Sequence, residues 1–119
     1  MKKIISPNVK TAAQFTVSVD QVNDNRALLP IVLYEKMEGF ILNSVHSFQN
    51  KILSEPSLYK LNILKNAFLN DQLQLKSCVK KLNEQELQLS VEVYKELDDL
   101  KDTVCNALFS FELKKDSVE

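Results

Sequence analysis

The chain has 119 residues, which suits a single domain because most domains hold roughly 100 to 150 residues. Hydrophobic residues make up 45% and charged residues 26%, proportions that are typical of a folded protein and not of a disordered one. Lysine and arginine number 15 against 16 acidic residues. This balance gives no positive field for phosphate backbones, so we expect no nucleic-acid partner.

Three scarce residue types exclude further classes of site. Gly39 is the only glycine, and glycine-rich nucleotide loops need two or more. Cys78 and Cys105 form no CxxC pair and His46 is the only histidine, so we expect no metal site and a reducing, cytoplasmic location. The apolar stretch after Met1 is too short for an export signal and no run approaches the ~18 apolar residues of a membrane span. We therefore expect a soluble protein.

The first element is predicted to be a strand from Gln14 to Asp20. Its apolar residues Phe15, Val17 and Val19 alternate with polar ones, which is the period of a half-buried strand. The polar cluster at 23–26 is typical of a turn and ends that strand.

A long helix is predicted near residues 29 to 52. Pro30 suits the first helical turn, where its missing N–H costs nothing, and Pro56 follows the expected end. Apolar residues recur every three or four positions and form one stripe: Leu29, Leu33, Met37, Phe40, Ile41, Val45, Phe48 and Ile52.

Four more strands are predicted after the helix, separated by short polar turns. They cover 58–68, 72–82, 86–95 and 103–113. Clean alternation in the middle two predicts a sheet with one dry and one wet face. The last strand carries apolar residues on both sides, Cys105 and Phe109 on one and Val104 and Leu108 on the other, so we expect it to be covered on both faces.

This order of one strand, one long helix and an antiparallel meander predicts an α+β domain in which the helix packs across the dry face of the sheet. That architecture is the hot-dog fold. We expect a single domain over 1–119, with 1–12 and 114–119 peripheral or frayed.

The stretch from Asn23 to Glu38 reads N-D-N-R-A-L-L-P-I-V-L-Y-E-K-M-E. It resembles, without a gap, the N-x-x-G-x-L-F-G-G-x-L-L-x-x-M-D signature of hot-dog acyl-CoA thioesterases. Residues 69–73 are similar to the V-G-D-x-L turn of that family, and 83–93 and 107–111 are similar to its later strands. The resemblance covers nearly the whole chain.

The resemblance implies roles for five residues. Asn23 takes the position of the catalytic asparagine and Glu38 that of the catalytic aspartate. Pro30, Ile31 and Val32 lie where the family binds the substrate at the helix N-terminus, with a backbone N–H on the thioester carbonyl. Glu38 would act as general base on water or as nucleophile, and Asn23 would orient water or the carbonyl.

The resemblance also implies a substrate and an assembly. The expected substrate is an acyl-CoA or an acyl-carrier-protein thioester of fatty acid metabolism, with coenzyme A as part of the substrate and no other cofactor. The expected assembly is a homo-oligomer: a dimer, a dimer of dimers or a higher assembly. Asn23 and Glu38 of one site would come from different subunits.

The chain is a degenerate member of this pattern. Its departures replace the three motif glycines, the aspartate and the serine pair: Arg26, Pro30, Ile31, Glu38 and Gln85-Glu86. Asn70 and Asn83 can still adopt the positive φ of the turn glycines they replace. Pro30 removes one backbone donor, and the longer side chain of Glu38 moves its carboxylate by about 1.5 Å.

Two other functions stay open. A hot-dog module that has lost its glycines could bind acyl-CoA, or simply dimerise, without turnover. Residues 30–37 also resemble, with a gap, the P-G-V-L-x-x-E-x-M stretch of hydroxyacyl-thioester dehydratases, but the upstream histidine of those enzymes is missing. Read without the family, Asn23 is a turn residue, Glu38 is a solvated helix position, and His46 lies at the helix border outside the catalytic set.

Overall fold

The computed structural model of the protein describes residues 12–46 and 55–114. The elements in chain order are β1 (Ala12–Thr16), a 3₁₀ turn (Val19–Gln21), α1 (Pro30–Ser44), β2 (Ser57–Ile63), β3 (Gln72–Leu82), β4 (Glu86–Leu97) and β5 (Leu100–Glu112). The strands form one antiparallel sheet in the order β1-β3-β4-β5-β2. The predicted α+β arrangement, a long helix packed on an antiparallel sheet, is confirmed.

The first strand is shorter than predicted. It ends at Thr16 and the chain enters the 3₁₀ turn, where Val19 is 75% exposed. Local hydrogen bonds explain the turn, because the Ser18 N–H donates to Gln21 Oε1 over 2.9 Å and the Ser18 hydroxyl donates to Asp20 over 2.6 Å. The prediction that Val19 shares a strand face with Phe15 was wrong.

Helix α1 begins at Pro30, as predicted, and ends at Ser44, before the predicted end at 52. Asn43 and Ser44 are poor helix formers, and the Ser44 hydroxyl donates to the carbonyl of Phe40 over 2.8 Å, a bond that weakens a helix end. Phe48, Ile52 and the predicted helix end at 52–54 lie outside the described residues. The buried stripe of α1 contains Leu33, Met37, Phe40 and Ile41.

Strand β2 departs from the predicted meander. It pairs with β5 at the far edge of the sheet, so only β3, β4 and β5 follow one another as neighbours. The strand also stops at Ile63 and not at Phe68. The N–H groups of Leu64 and Lys65 both donate to the carbonyl of Val104, over 2.8 and 3.3 Å, and this redirects the chain toward the start of β3.

The sheet has the predicted dry face and wet face. Buried side chains alternate with exposed or half-buried ones in the first half of β3 and with half-buried ones along β4 to Val93, and α1 covers the buried face. Strand β4 ends at Leu97, after its predicted end at 95, and β5 begins at Leu100, before its predicted start at 103. The reason is that Asp98 and Asp99 take φ of 50° and 67° and close a two-residue turn. In β5, Val104 and Cys105 are both buried in the one core cluster, next to a register shift in the pairing with β4, and Leu108 is half-buried. Coverage of both faces of β5 stays a prediction.

Candidate active site

The loop before α1 is a small hairpin that fixes where the helix begins. Val22 and Leu28 form a bridge, and the Asn23 N–H donates to the carbonyl of Ala27 over 2.9 Å. The Leu28 N–H donates to the carbonyl of Ala67 over 2.8 Å, which ties the hairpin to the segment before β3. The N-terminus of the helix is therefore held by backbone bonds on both sides.

Asn23 is exposed in this loop, and its side chain stabilises the loop by accepting two backbone hydrogen bonds. Its Oδ1 accepts the N–H of Asn25 over 2.8 Å and the N–H of Ala27 over 3.0 Å. Two N–H donors identify this atom as the carbonyl oxygen of the carboxamide. The Nδ2 group is then the part of Asn23 that can donate to a bound molecule.

At three turn positions where the thioesterase family has glycine, two residues of this chain keep a positive φ and one does not. Arg26 has φ of 65°, so the backbone conformation that the motif gives to glycine is kept by an arginine. Asn70 takes φ of 73°, as predicted. Asn83 does not have a positive φ; its Oδ1 accepts the N–H groups of Gln85 and Glu86 over 2.8 and 2.9 Å and makes the turn instead.

The first turn of α1 keeps one free backbone donor among the described residues. Leu29 caps the helix through its carbonyl, which accepts the N–H groups of Val32 and Leu33 over 3.0 and 3.1 Å. Pro30 has no N–H, so the Ile31 N–H is left without a hydrogen bond, and the Ile31 side chain is 61% exposed. Val32 is half-buried against the core.

Glu38 is half-buried on α1, eight residues and about 12 Å along the axis from Pro30. One turn earlier, the Tyr34 hydroxyl donates to Glu38 Oε2 over 3.4 Å. The Tyr34 ring packs on Phe109 of β5, with ring centroids 6.2 Å apart. Burial, followed by the charge of Glu38, raises the pKa of Tyr34, so its hydroxyl stays a donor at neutral pH.

The two flanks of α1 face opposite edges of the sheet. Lys36 lies over the ring of Phe15 in β1, 5.0 Å from its centroid. Tyr34 and Glu38 lie on the other flank, toward β5 and therefore toward the edge formed by β2. Within the described chain no hydrogen bond joins Asn23 to Glu38.

Strand β2 is an open edge next to that flank. All seven of its residues are exposed, and its apolar side chains are Leu58, Tyr59, Leu61 and Ile63. An edge strand that shows unpaired backbone groups and apolar side chains is a surface suited to pairing with another strand.

The remaining reactive groups lie elsewhere. Cys105 is buried in the core, and burial raises its pKa to about 11. Cys78 is exposed on the wet face, where its sulfur lies 3.1 Å from Ser90 Oγ.

In the described ranges, no three side chains of the metal-binding types gather into a site. None of the helices described there is long and apolar enough to cross a membrane.

The predicted site residues therefore do not all lie in one region. Asn23, Pro30, Ile31 and Val32 surround the start of α1, and Glu38 lies two turns further on. Sequence reasoning missed Tyr34, which stands where the thioesterase signature has its third leucine. The spacing of four residues between a tyrosine and an acid on one helix was the signal that could have found it.

No protein-family model matches the sequence, and a search of curated proteins finds no relative. Solved structures do match. An acyl-CoA hydrolase of Staphylococcus aureus, in complex with butyryl-CoA, CoA and CoA disulfide, matches with a TM-score of 0.73 at 12% identity over 91% of this chain and 67% of that one. The chain spans about two thirds of the length of that enzyme.

Two shorter neighbours match over most of their length. YbaW, a probable thioesterase of Escherichia coli, has a TM-score of 0.69 at 19% identity over 87% of this chain and 82% of that one. A hexameric thioesterase of Yersinia pestis has a TM-score of 0.66 at 13% identity over 97% and 95%. The protein therefore has the hot-dog fold, as its sequence predicted.

Proposed function

We propose that the protein is an acyl-thioester hydrolase of the hot-dog type, acting on an acyl-CoA or an acyl-carrier-protein thioester. The observation that carries the proposal is the pair of donors at the start of α1, the unbonded Ile31 N–H and the Nδ2 of Asn23, on a fold similar to that of known thioesterases. Donors fixed in this way suit a developing oxyanion. A reducing cytoplasm and fatty acid metabolism are the expected setting.

The reaction assigns a task to each group. The thioester carbonyl oxygen accepts hydrogen bonds from the Ile31 N–H and Asn23, and Glu38 removes a proton from water as the water attacks the carbonyl carbon. The carbon–sulfur bond then breaks, and the products are a carboxylic acid and a thiol. In the alternative route, the Glu38 carboxylate attacks first and water hydrolyses the resulting anhydride.

The complete site is proposed to form between two copies of the chain. Glu38 lies on the flank of α1 that faces the open β2 edge, and no hydrogen bond links it to Asn23 of its own protomer in the described ranges. Pairing of β2 with the β2 of a second copy would cover the apolar edge. It would also bring Asn23 of the partner toward Glu38. Dimers could assemble further, as in the hexameric neighbours.

The test is a thiol-release assay of the purified protein over short, medium and long acyl-CoAs and an acyl-carrier-protein thioester. Glu38→Gln should lower kcat by at least a hundredfold because the base or nucleophile is lost. Glu38→Asp, which restores the acid of the motif, should retain turnover. Glu35→Gln, an exposed acid on the same helix, is the matched control. Equal rates for the parent and Glu38→Gln on a good substrate would refute the proposal.

A second function is favoured by Pro30, which removes a backbone donor from the helix N-terminus. A hot-dog module that binds acyl-CoA without hydrolysing it would keep the fold and the dimer but not the oxyanion site. Thermal stabilisation by acyl-CoA, together with no thiol release from any substrate, would select this function.

A further inference from the structure

We propose that Tyr34 is a positioning residue for Glu38: its hydroxyl holds one oxygen of the carboxylate by a hydrogen bond while its ring is anchored on Phe109. The inference rests on the proposed hydrolase function, in which Glu38 is the base or nucleophile. It concerns a residue that the thioesterase signature does not contain, since the signature has leucine at this position.

The geometry of the helix places Tyr34 and Glu38 next to each other. Residues four apart lie one above the other on a helix face, so Tyr34 sits one turn before Glu38. The hydroxyl lies 3.4 Å from Glu38 Oε2. This is long for an O–H···O bond, and hydrogen bonds of this kind commonly tighten once a substrate is bound.

The tyrosine ring is itself held. It is half-buried, and its centroid lies 6.2 Å from that of Phe109, a fully buried residue of β5. A rigid phenol gives a fixed hydroxyl position, whereas a carboxylate on a glutamate has three rotatable bonds. The extra methylene that distinguishes Glu38 from the aspartate of the signature adds a rotation that Tyr34 restrains.

The surrounding charges keep the Tyr34 hydroxyl protonated. The charges that act on Tyr34 are Glu38 on its own helix and Glu55 before β2. No lysine, arginine or histidine of the described chain forms an ion pair with Glu38. Burial and these two carboxylates raise the pKa of Tyr34, so the hydroxyl keeps its proton and serves as a donor.

The test measures kcat and KM separately for the parent, Tyr34→Phe and Glu38→Gln in the thiol-release assay. Tyr34→Phe keeps the ring on Phe109 and removes only the hydroxyl. It should lower kcat about three- to tenfold with little change in KM.

A matched control is Tyr94→Phe on the wet face of the sheet, which should leave both kcat and KM unchanged. If Glu38→Gln abolishes turnover and Tyr34→Phe keeps the parent kcat, the role of Tyr34 is refuted and the hydrolase function stands. If the parent shows no turnover, or Glu38→Gln turns over like the parent, the hydrolase function and the role of Tyr34 fail together.

Discussion

The N–H of Ala27 donates to Oδ1 of Asn23 over 3.0 Å. The residue that the thioesterase signature makes catalytic therefore also closes the loop that starts the helix. One half of the carboxamide, the oxygen, serves the fold. The other half, the amino group, is the part that we propose binds the substrate.

This division predicts different results for two substitutions of Asn23. Asn23→Asp keeps an oxygen for the N–H groups of Asn25 and Ala27 but removes the Nδ2 donor. We expect near-parental thermal stability and a loss of kcat of about a hundredfold or more. Asn23→Ala should lose the turnover and also about 1 to 2 kcal/mol of stability, because two N–H groups lose their acceptor.

The measurements are a thermal melt and a thiol-release assay on both variants. Full turnover by Asn23→Asp would remove the donor role from Asn23. Equal destabilisation by the two variants would contradict the loop-closing role of Oδ1.

The positive φ of Arg26 predicts that glycine is more stable than alanine at this position, which is the reverse of their usual order of stability in a helix. At φ of 65° any residue with a Cβ is strained by roughly 1 to 2 kcal/mol and glycine is not. Arg26→Gly should therefore be more stable than Arg26→Ala by about 1 kcal/mol in urea unfolding. At exposed helix position Glu35 the order should be the usual one, with glycine about 1 kcal/mol less stable than alanine. The same order at both positions would contradict the strain at Arg26.

The β2 edge predicts how the assembly can be broken. Leu61→Lys puts a charge in the centre of the exposed edge strand, where two antiparallel copies would bring the two lysines close together. We expect the light-scattering mass to fall from dimer, or a multiple of it, to monomer at micromolar concentration. Leu100→Lys, in the β4–β5 turn region, makes the same change at a residue that is 71% exposed and should leave the mass unchanged. A parent protein that is already monomeric would contradict the interface.

Glu86 predicts a pH dependence of stability. Its carboxylate accepts hydrogen bonds from Gln88 and Ser110 over 2.9 and 2.7 Å and pairs with Lys81 at 3.3 Å. These contacts lower the pKa of Glu86 to about 2 from an ordinary 4.5. Because the pKa is lower in the folded state, the stabilisation is present above about pH 4.5 and is lost as the pH falls toward 2.

The matched comparison is urea unfolding of the parent and Glu86→Gln between pH 6 and the lowest pH at which both fold. The difference in unfolding free energy should favour the parent at pH 6 and shrink as the pH falls. Glu84→Gln, in the exposed loop before β4, controls for the loss of a surface carboxylate. A difference between the parent and Glu86→Gln that stays constant with pH would contradict the account.

The strands whose pattern is local could be predicted from the sequence. Strand β3 has the predicted bounds of Gln72 and Leu82, because Leu73, Leu75 and Val79 alternate with polar residues. The same alternation predicted a strand at Val19, but the hydrogen bonds of Ser18 favour a 3₁₀ turn there. The position of β2 beside β5 could not be predicted, because strand order depends on contacts between residues far apart in the chain.

The candidate site could be predicted only through the resemblance to a family. Asn23 and Glu38 carry no signal of their own, since an asparagine in a turn and an acid on a helix are common. Tyr34 could have been noticed from its spacing to Glu38, but its anchor on Phe109 depends on the packing of α1 against β5. The central claim is that Asn23 of one chain and Glu38 of another act in one site.

The most direct test of that claim is complementation between two inactive variants. Asn23→Asp and Glu38→Gln are unfolded together, refolded as an equal mixture and assayed for thiol release beside each variant refolded alone. If a site combines Asn23 of one chain with Glu38 of the other, half of the dimers are mixed and each carries one intact site, so the mixture should recover about a quarter of the parent activity. Recovery no greater than that of the separate variants, from a mixture in which mixed dimers have formed, would contradict the account.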